Sequence, residues 1–150
     1  MKIVCSQEEE PLGTAGPIKL AKELLLAHMV NESGEKVVDE CPYFFVFNSD
    51  IICEFPLQTL IDFHKSHGKE ATMMVTQVED PSKYGVVVMA PTQSTEEGGR
   101  VARFVEKPKE FLTNRVNAGL YIFNKSVLDR IDVKPGFLER DVFPRQAEEG

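Results

Sequence analysis

The chain has no tryptophan, and among its 150 residues only three are tyrosine and three are cysteine. The cysteines, Cys5, Cys41 and Cys53, are odd in number and unrelated in spacing. That excludes a self-contained disulfide framework, and no C-x-x-C pair is there to begin a zinc or redox site. They read as free thiols in a reducing compartment, so the expected location is cytoplasmic. No apolar run approaches the roughly 20 residues needed to span a bilayer. The opening Met1-Lys2-Ile3-Val4-Cys5 turns polar too soon for a signal peptide. No membrane partner is expected. A cationic cluster is also missing: the net charge is −7, from 17 Lys+Arg against 24 Asp+Glu. A nucleic-acid backbone needs the opposite sign, so no nucleic-acid partner is expected. A small anionic ligand stays open, because backbone amides and a metal ion can bind phosphate on an acidic protein.

What is present is enough for one domain with a core, 42% hydrophobic and 27% charged. Residues 1–6 read as a short strand. Pro17 stands where a first helical residue would, followed by Ile18, Ala21, Leu25 and His28 or Met29 at helical spacing, until 31–35 breaks the pattern. Residues 43–47 are an uninterrupted apolar run, the mark of a strand covered on both faces in a parallel sheet. Leu57, Leu60, Ile61 and His64 make the next helical stripe, closed by Gly68. Further strands are expected at 71–78, 86–89, 101–105 and 119–123, and helices at 126–131 and 139–147, with an exposed loop at 91–99. The alternation predicts an α/β fold, a mostly parallel sheet with helices on both faces, and one antiparallel pair across the loop at 91–99.

In such a sheet, ligands sit beyond the carboxyl ends of the strands. Asp50 follows the run at 43–47 and is a hard oxygen ligand suited to Mg²⁺; the plainer reading is an Asx-turn or a helix cap. Glu106-Lys107-Pro108 ends a strand, the carboxylate able to accept sugar hydroxyls and the ammonium to hold a phosphate; the plainer reading is an exposed ion pair. Asn117 offers a donor and an acceptor before Gly119, and Tyr84-Gly85 opens another strand; both also read as turns. His64 and His67 are three apart on a helix, which reads as a solvated or half-buried face more readily than as a metal pair. The stretch Glu8-Glu9-Glu10-Pro11-Leu12-Gly13-Thr14-Ala15-Gly16-Pro17 sets the densest negative charge against a glycine-lined turn.

The order of these pieces is more specific than any one of them. Glu-x-x-Pro-Leu-Gly-Thr-Ala-Gly, Phe-Val-Phe-Asn-Ser-Asp, Pro-Ser-Lys-Tyr-Gly-Val-Val, Phe-Val-Glu-Lys-Pro and Asn-Ala-Gly-Leu-Tyr-Ile-Phe together resemble the sugar-1-phosphate nucleotidyltransferases, and within them the mannose-1-phosphate guanylyltransferase group. The resemblance implies a Rossmann-like domain that binds GTP and mannose 1-phosphate and releases GDP-mannose and pyrophosphate with Mg²⁺. It implies Asp50 as metal ligand and catalytic residue, and Lys107 as catalytic residue facing the sugar's phosphate. Gly85, Glu106 and Asn117 would hold the sugar; Glu8, Pro11, Leu12, Gly13 and Thr14 would bind the nucleotide. Glu8 would accept both N1–H and the 2-amino group of guanine, a charge-assisted bidentate pair, while Gly13 would let the chain approach the ring without a Cβ in the way. A homo-oligomer or a regulatory subunit is left open as partner.

Two departures from the family pattern stand beside these matches. The Gly-rich phosphate loop that opens the family's domain has no counterpart here, and neither does a second metal-binding Asp after a Trp; the C-terminal β-helix is also absent. The chain therefore reads as the middle of a catalytic domain. Rival readings are a non-catalytic homologue that binds GDP-mannose and a transferase for another sugar phosphate or nucleotide. A glycosyltransferase is disfavoured because Asn48-Ser49-Asp50 lacks the first acid of an Asp-x-Asp motif. With the family's central first strand and phosphate loop missing, these 150 residues alone are expected to be marginally stable or aggregation-prone and to give no turnover in a coupled pyrophosphate assay. Detecting GDP-mannose synthesis by them would refute that expectation.

Overall fold

The computed structural model describes residues 3–26, 29–30, 36–37, 41–91, 98–132 and 134–149. Its main sheet has five strands: β3 (Tyr43–Phe47), β4 (Ala71–Gln77), β5 (Gly85–Met89), β6 (Val101–Glu106) and β7 (Arg115–Asn124). A separate small pair joins β1 (Met29–Val30) to β2 (Lys36–Val37). β7 is the centre of the main sheet. Its Val116 faces Thr76 of β4 on one side and Val86 of β5 on the other, and its Phe123 likewise lies between Ala71 of β4 and Phe44 of β3. β3 and β5 therefore share one flank of β7, β4 takes the other, and β6 lies beyond β5.

All of these pairings are antiparallel, which corrects the expected mostly parallel sheet. The one parallel contact among the described residues is the bridge between Gly13 and Gly136. An apolar run reports cover on both faces and says nothing of strand direction. That cover is real in β3, whose Phe44 and Val46 pack on one core while Tyr43 and Phe45 pack on the other. Helices lie on both faces, as expected of an α/β fold. Ile18 of α1 (Gly16–Leu20) and Phe143 of α4 (Phe143–Glu149) join Tyr121 and Phe123 on one face. On the opposite face Leu60 of α3 (Leu57–His67) joins Leu120 and Ile122. The first core is built on aromatic contacts, with ring centroids 5.2 Å apart for Tyr121–Phe143 and 5.4 Å for Phe104–Phe143. Such pairs add roughly 0.5–1.5 kcal/mol each beyond their area burial.

Several boundaries move. The helix expected from Pro17 onward divides at Ala21 into α1 and α2 (Lys22–Leu26); His28 lies outside the described residues and Met29 belongs to β1. Residues 3–6 form no strand. The helix expected at 126–131 is a 3-10 turn over Lys125–Asp129, and that at 139–147 begins as a wide π turn over Leu138–Val142 before α4. Residues 31–35 and 92–97 lie outside the described residues. α3 and its left-handed cap at Gly68 (φ 62°) form as expected, and β5 and β6 supply the expected antiparallel pair. His64, expected on a solvated or half-buried face, is buried, with Thr72 and Asn124 as its partners. No helix among the described residues is long and apolar enough to cross a membrane.

The ladder between β4 and β7 slips at one place. Val75 pairs with Asn117 but Met73 pairs with Tyr121, so Met74 stands opposite residues 118–120. Gly119 makes the bulge, with φ at 73°. Its carbonyl accepts the Asn48 N–H at 2.9 Å, and a Cβ on it would stand 2.9 Å from Asn48 Nδ2 and 3.0 Å from Ile51 Cγ1. Placing an alanine in left-handed backbone costs about 1–2 kcal/mol. Gly68 has a similar φ of 62° but nothing within 4 Å of its missing Cβ. In urea unfolding, Gly119→Ala is therefore expected to destabilise the chain clearly more than Gly68→Ala, and equal losses would contradict the packing described here.

Candidate active site

The bulge decides where β7 aims its polar groups. Asn117 Oδ1 accepts the Gly119 N–H at 2.9 Å, and Asn117 Nδ2 donates to the Tyr121 hydroxyl at 2.6 Å. Both ends of the amide are thus held, each with hydrogen-bonding capacity left over. Tyr121 is fully buried. Burial pushes its phenol up to about 12; hydrogen bonds from Asn117 and Asn48 oppose the rise, while the carboxylates of Glu139 and Glu106 add to it. Asn117 and Asn48 thus bond one buried hydroxyl, and the charges of Glu139 and Glu106 are felt there.

Glu106 arrives there through the β5–β6 pairing, which sets it opposite Gly85. A Cβ on Gly85 would come within 2.4 Å of Phe104 Cζ and 2.9 Å of Glu106 Oε2. Glycine is therefore required here because the Phe104 ring and the carboxylate pack directly against a buried backbone. Lys107, the next residue, has φ at 45°, a region that costs a non-glycine residue of order 1–3 kcal/mol and gathers at functional sites. Its N–H donates to the Tyr84 carbonyl at 3.1 Å and its ammonium stands 3.9 Å from Glu106 Oε1. The Lys107 side chain is 66% exposed, so this pair contributes little to stability.

The loop at 8–15 is held against the 136–139 segment. Glu8 Oε2 accepts the Leu12 N–H at 2.7 Å, which orients the carboxylate within its own loop and leaves it exposed. Gly13 has φ at 76°, and a Cβ there would lie 2.3 Å from the Gly136 carbonyl oxygen. Its glycine is required by the 136 segment, a different reason from the ring approach inferred from sequence. Leu12 C=O accepts the Gly136 N–H at 3.0 Å, and Ala15 N–H donates to the Gly136 carbonyl at 3.1 Å. The Thr14 hydroxyl donates to Glu139 Oε2 at 2.7 Å and accepts the Leu138 N–H at 2.8 Å. Pro11 is exposed at the outer end of this clasp.

Asp50 is exposed in the turn after β3, where Ile51 N–H reaches back to the Asn48 carbonyl at 3.4 Å. Because Asn48 packs on Gly119, that turn sits beside the Tyr121 cluster. No group of three or more His, Cys, Asp or Glu that could cage a metal is present among the described residues. A lone exposed carboxylate still fits Mg²⁺, which commonly takes one or two protein carboxylates and completes its shell with water and substrate phosphate. The structure thus aligns Glu106, Gly85 and Asn117 across neighbouring strands, with Tyr121 bonded to Asn117, holds Thr14 on Glu139, and leaves Asp50 two residues after Asn48. Glu8 bonds within its loop and makes no direct contact with the cluster. A wide cavity of about 1010 Å³ lies elsewhere, between α3, β4 and α4; we place the site by its convergent polar groups instead.

Sequence reading missed Asn48, Tyr121 and Glu139. Asn117 and Tyr121 are four apart on one strand, a spacing that places both on one face and was legible; Glu139 lies 125 residues from Thr14, with no local signal. The raised phenol has a consequence at high pH. The unfolded chain releases this proton near pH 10 and the folded chain near 12, so stability present below pH 10 falls as pH rises between the two. Tyr121→Phe is expected to flatten that alkaline loss in urea unfolding at pH 9 to 11.5; an unchanged slope would contradict the assignment.

The sequence profile of the nucleotidyl transferase family matches residues 1–142. The chain is 56% identical over 147 residues to the probable mannose-1-phosphate guanylyltransferase 1 of Oryza sativa subsp. japonica, covering 98% of this chain and 36% of that protein. It is 49% identical over 150 residues to the mannose-1-phosphate guanylyltransferase catalytic subunit beta of Xenopus tropicalis, covering 100% of this chain and 37% of the relative. The chain therefore spans little more than a third of these relatives' length. Among solved structures, HddC from Yersinia pseudotuberculosis, described in complex with GMP-PN, superposes with a TM-score of 0.63 at 27% identity, covering 92% of this chain and 51% of HddC. A UDP-glucose pyrophosphorylase complexed with UDP-glucose superposes at 0.65 with 19% identity, covering 94% and 52%, which speaks for the fold alone. By the profile match and by fold, the chain belongs to the nucleotidyl transferase family.

Proposed function

We propose that this chain is part of a mannose-1-phosphate guanylyltransferase, which transfers GMP from GTP to mannose 1-phosphate. A phosphate oxygen of mannose 1-phosphate attacks the α-phosphorus of GTP, the bond from that phosphorus to the bridging oxygen breaks, and pyrophosphate leaves as GDP-mannose forms. The identity to the rice relative over nearly the whole chain carries this reading. The alignment of Glu106, Gly85 and Asn117 across β6, β5 and β7 supports it.

The nucleophile is already an anion, so the reaction needs no general base; its barrier is lowered by alignment and by neutralising charge. Asn117, held at both ends by Gly119 and Tyr121, presents its remaining donor and acceptor capacity to hydroxyls of the sugar. Glu106 accepts from further hydroxyls, and the backbone of Gly85, paired with it in the ladder, lies beside them. The strained turn at Lys107 aims its ammonium at the sugar's phosphate. Asp50 would hold Mg²⁺, which when bound with the nucleotide supplies charge neutralisation at the phosphates. On the nucleotide side Pro11 and Leu12 line the base, and the clasp through Gly13 and Thr14 fixes the loop that carries Glu8.

Glu8 is assigned to the base. Its carboxylate, oriented by the Leu12 amide, accepts from guanine N1–H and the 2-amino group; adenine lacks both donors. The same reading places the protein in the cytoplasm, where GTP is available, and allows a homo-oligomer or a regulatory subunit as partner. The name of the Xenopus tropicalis relative, a catalytic subunit, supports the latter.

Calorimetry of GTP and ATP binding tests the base assignment. Hydrogen bonds to a charged group contribute about 1.5–3 kcal/mol, so Glu8→Gln is expected to weaken GTP binding about tenfold or more and leave ATP binding unchanged. An unaltered GTP-to-ATP ratio would overturn the assignment.

A further inference from the structure

Away from this site, α3 ends against the sheet through a polar ring that the reaction does not use. His67 Nδ1 lies 2.9 Å from the Lys69 backbone nitrogen, and His67 Nε2 lies 2.8 Å from Thr72 Oγ1. The same Thr72 oxygen is 2.8 Å from His64 Nδ1, and His64 Nε2 is 3.0 Å from Asn124 Oδ1. Asn124 Nδ2 then donates to the Lys69 carbonyl at 3.1 Å. The chain of bonds begins and ends on the backbone of Lys69.

Its proton order is forced from one end to the other. A backbone N–H can only donate, so His67 Nδ1 is bare and its proton sits on Nε2. His67 Nε2–H therefore donates to Thr72 Oγ1. The Thr72 hydroxyl proton is then free to go to His64 Nδ1, which leaves His64 with its proton on Nε2, donated to the Asn124 carbonyl oxygen. Every link is satisfied with both rings neutral. A proton added at His67 Nδ1 would oppose the Lys69 N–H, donor against donor. A proton added at His64 Nδ1 would leave the Thr72 hydroxyl hydrogen without an acceptor in a side chain that is only 5% exposed. Leaving such a group unpaired is unfavourable.

The surroundings give an added charge little relief. From α3 the rings meet Phe63 and each other edge-on, with Lys65 nearby over the Tyr43 ring. From β3 comes the Tyr43 edge, 5.6 Å from His64, and Cys41 lines the adjoining cavity. The turn at 68–70 adds Lys69 and Glu70, and Arg100 and Arg130 line the wide cavity on the His67 side. Glu70 is the carboxylate of this group, and Arg130 Nε at 2.7 Å, Ser126 at 2.6 Å and Gln146 at 3.4 Å already engage it. Burial, His64 and Lys69 all lower the pKa of His67 below the ordinary value.

We propose that His67, Thr72, His64 and Asn124 form an acid-released latch, closed only while both imidazoles are neutral, which ties the end of α3 to the start of β4 and the end of β7. Because His67 resists protonation when folded, the unfolded chain takes up protons first as pH falls through about 6.5. Stability is full above that pH and is lost below it, until His67 in the folded chain also titrates. The parts released border the wide cavity, which His67, Lys69 and Thr72 line.

Long-range ¹H–¹⁵N NMR of the histidine side chains at pH 7.5 tests the closed state directly. Both His64 and His67 are expected as Nε2–H tautomers with bare Nδ1. Acidification to pH 5.5 is expected to lower the urea midpoint and to move the Thr72 and Asn124 amide resonances together with the His67 ring signals. The double variant His64→Gln/His67→Gln should lose most of that drop between pH 7.5 and 5.5. An Nδ1–H tautomer in either ring, or a His67 titration at or above 6.5 in the folded chain, would overturn the proposal whether or not the variant folds. An acid sensitivity that persists undiminished in the folded variant would do so as well.

Discussion

The left-handed backbone at Gly119 is the constraint from which the rest of the arrangement follows. With no Cβ, residue 119 lets the Asn48 side chain lie against the centre of β7 while Asn48 N–H bonds to its carbonyl. The extra residues bulge β7 and divide it. Its second half pairs with β3, its first half meets β5, and both occupy the same flank. β-bulges commonly re-aim side chains next to active sites. Here the bulge turns Asn117 and Tyr121 toward each other and brings the β3–α3 turn, with Asp50, beside them.

Two kinds of order meet at this site. The proposed sugar side is rigid because a buried tyrosine hydroxyl has to be satisfied, and Asn117 satisfies it at 2.6 Å; an unpaired buried hydroxyl costs about 1–3 kcal/mol. Its rings neighbour Phe123 and Phe143 in the aromatic core, so the position of Asn117 is fixed by packing several residues away. The proposed nucleotide side is a surface loop, held by the Thr14–Glu139 clasp and the Gly13–Gly136 bridge. Glu139 is bonded to the loop while its charge is felt at Tyr121.

Much of this was legible in the sequence where the signal was local. The stripe Leu57, Leu60, Ile61, His64 with Gly68 after it fixes α3 and its cap, because helix periodicity and a left-handed terminus depend on neighbours alone. Glu106-Lys107-Pro108 marks a strand end, though the positive φ of Lys107 had no sequence sign, since lysine carries no preference for it. Strand direction was not legible: the run at 43–47 is equally apolar whether its partners run with it or against it. The Thr14–Glu139 bond was hidden by its separation, and Tyr121 by its setting within an apolar strand, where an aromatic residue reads as core. The buried state of His64 escaped the reading because its partners, Thr72 and Asn124, belong to two different strands.

The central claim is that the loop at 8–15 and the cluster around Tyr121 are two walls of one binding mouth. Titrating the ¹⁵N-labelled chain with GDP-mannose in the presence of Mg²⁺, and following backbone and side-chain amide resonances, addresses it most directly. The account predicts that Leu12 and Gly13 shift together with Gly85, Glu106 and the Asn117 side chain, at one common dissociation constant. Shifts confined to the wide cavity between α3 and α4, or separate constants for the loop and the cluster, would contradict it.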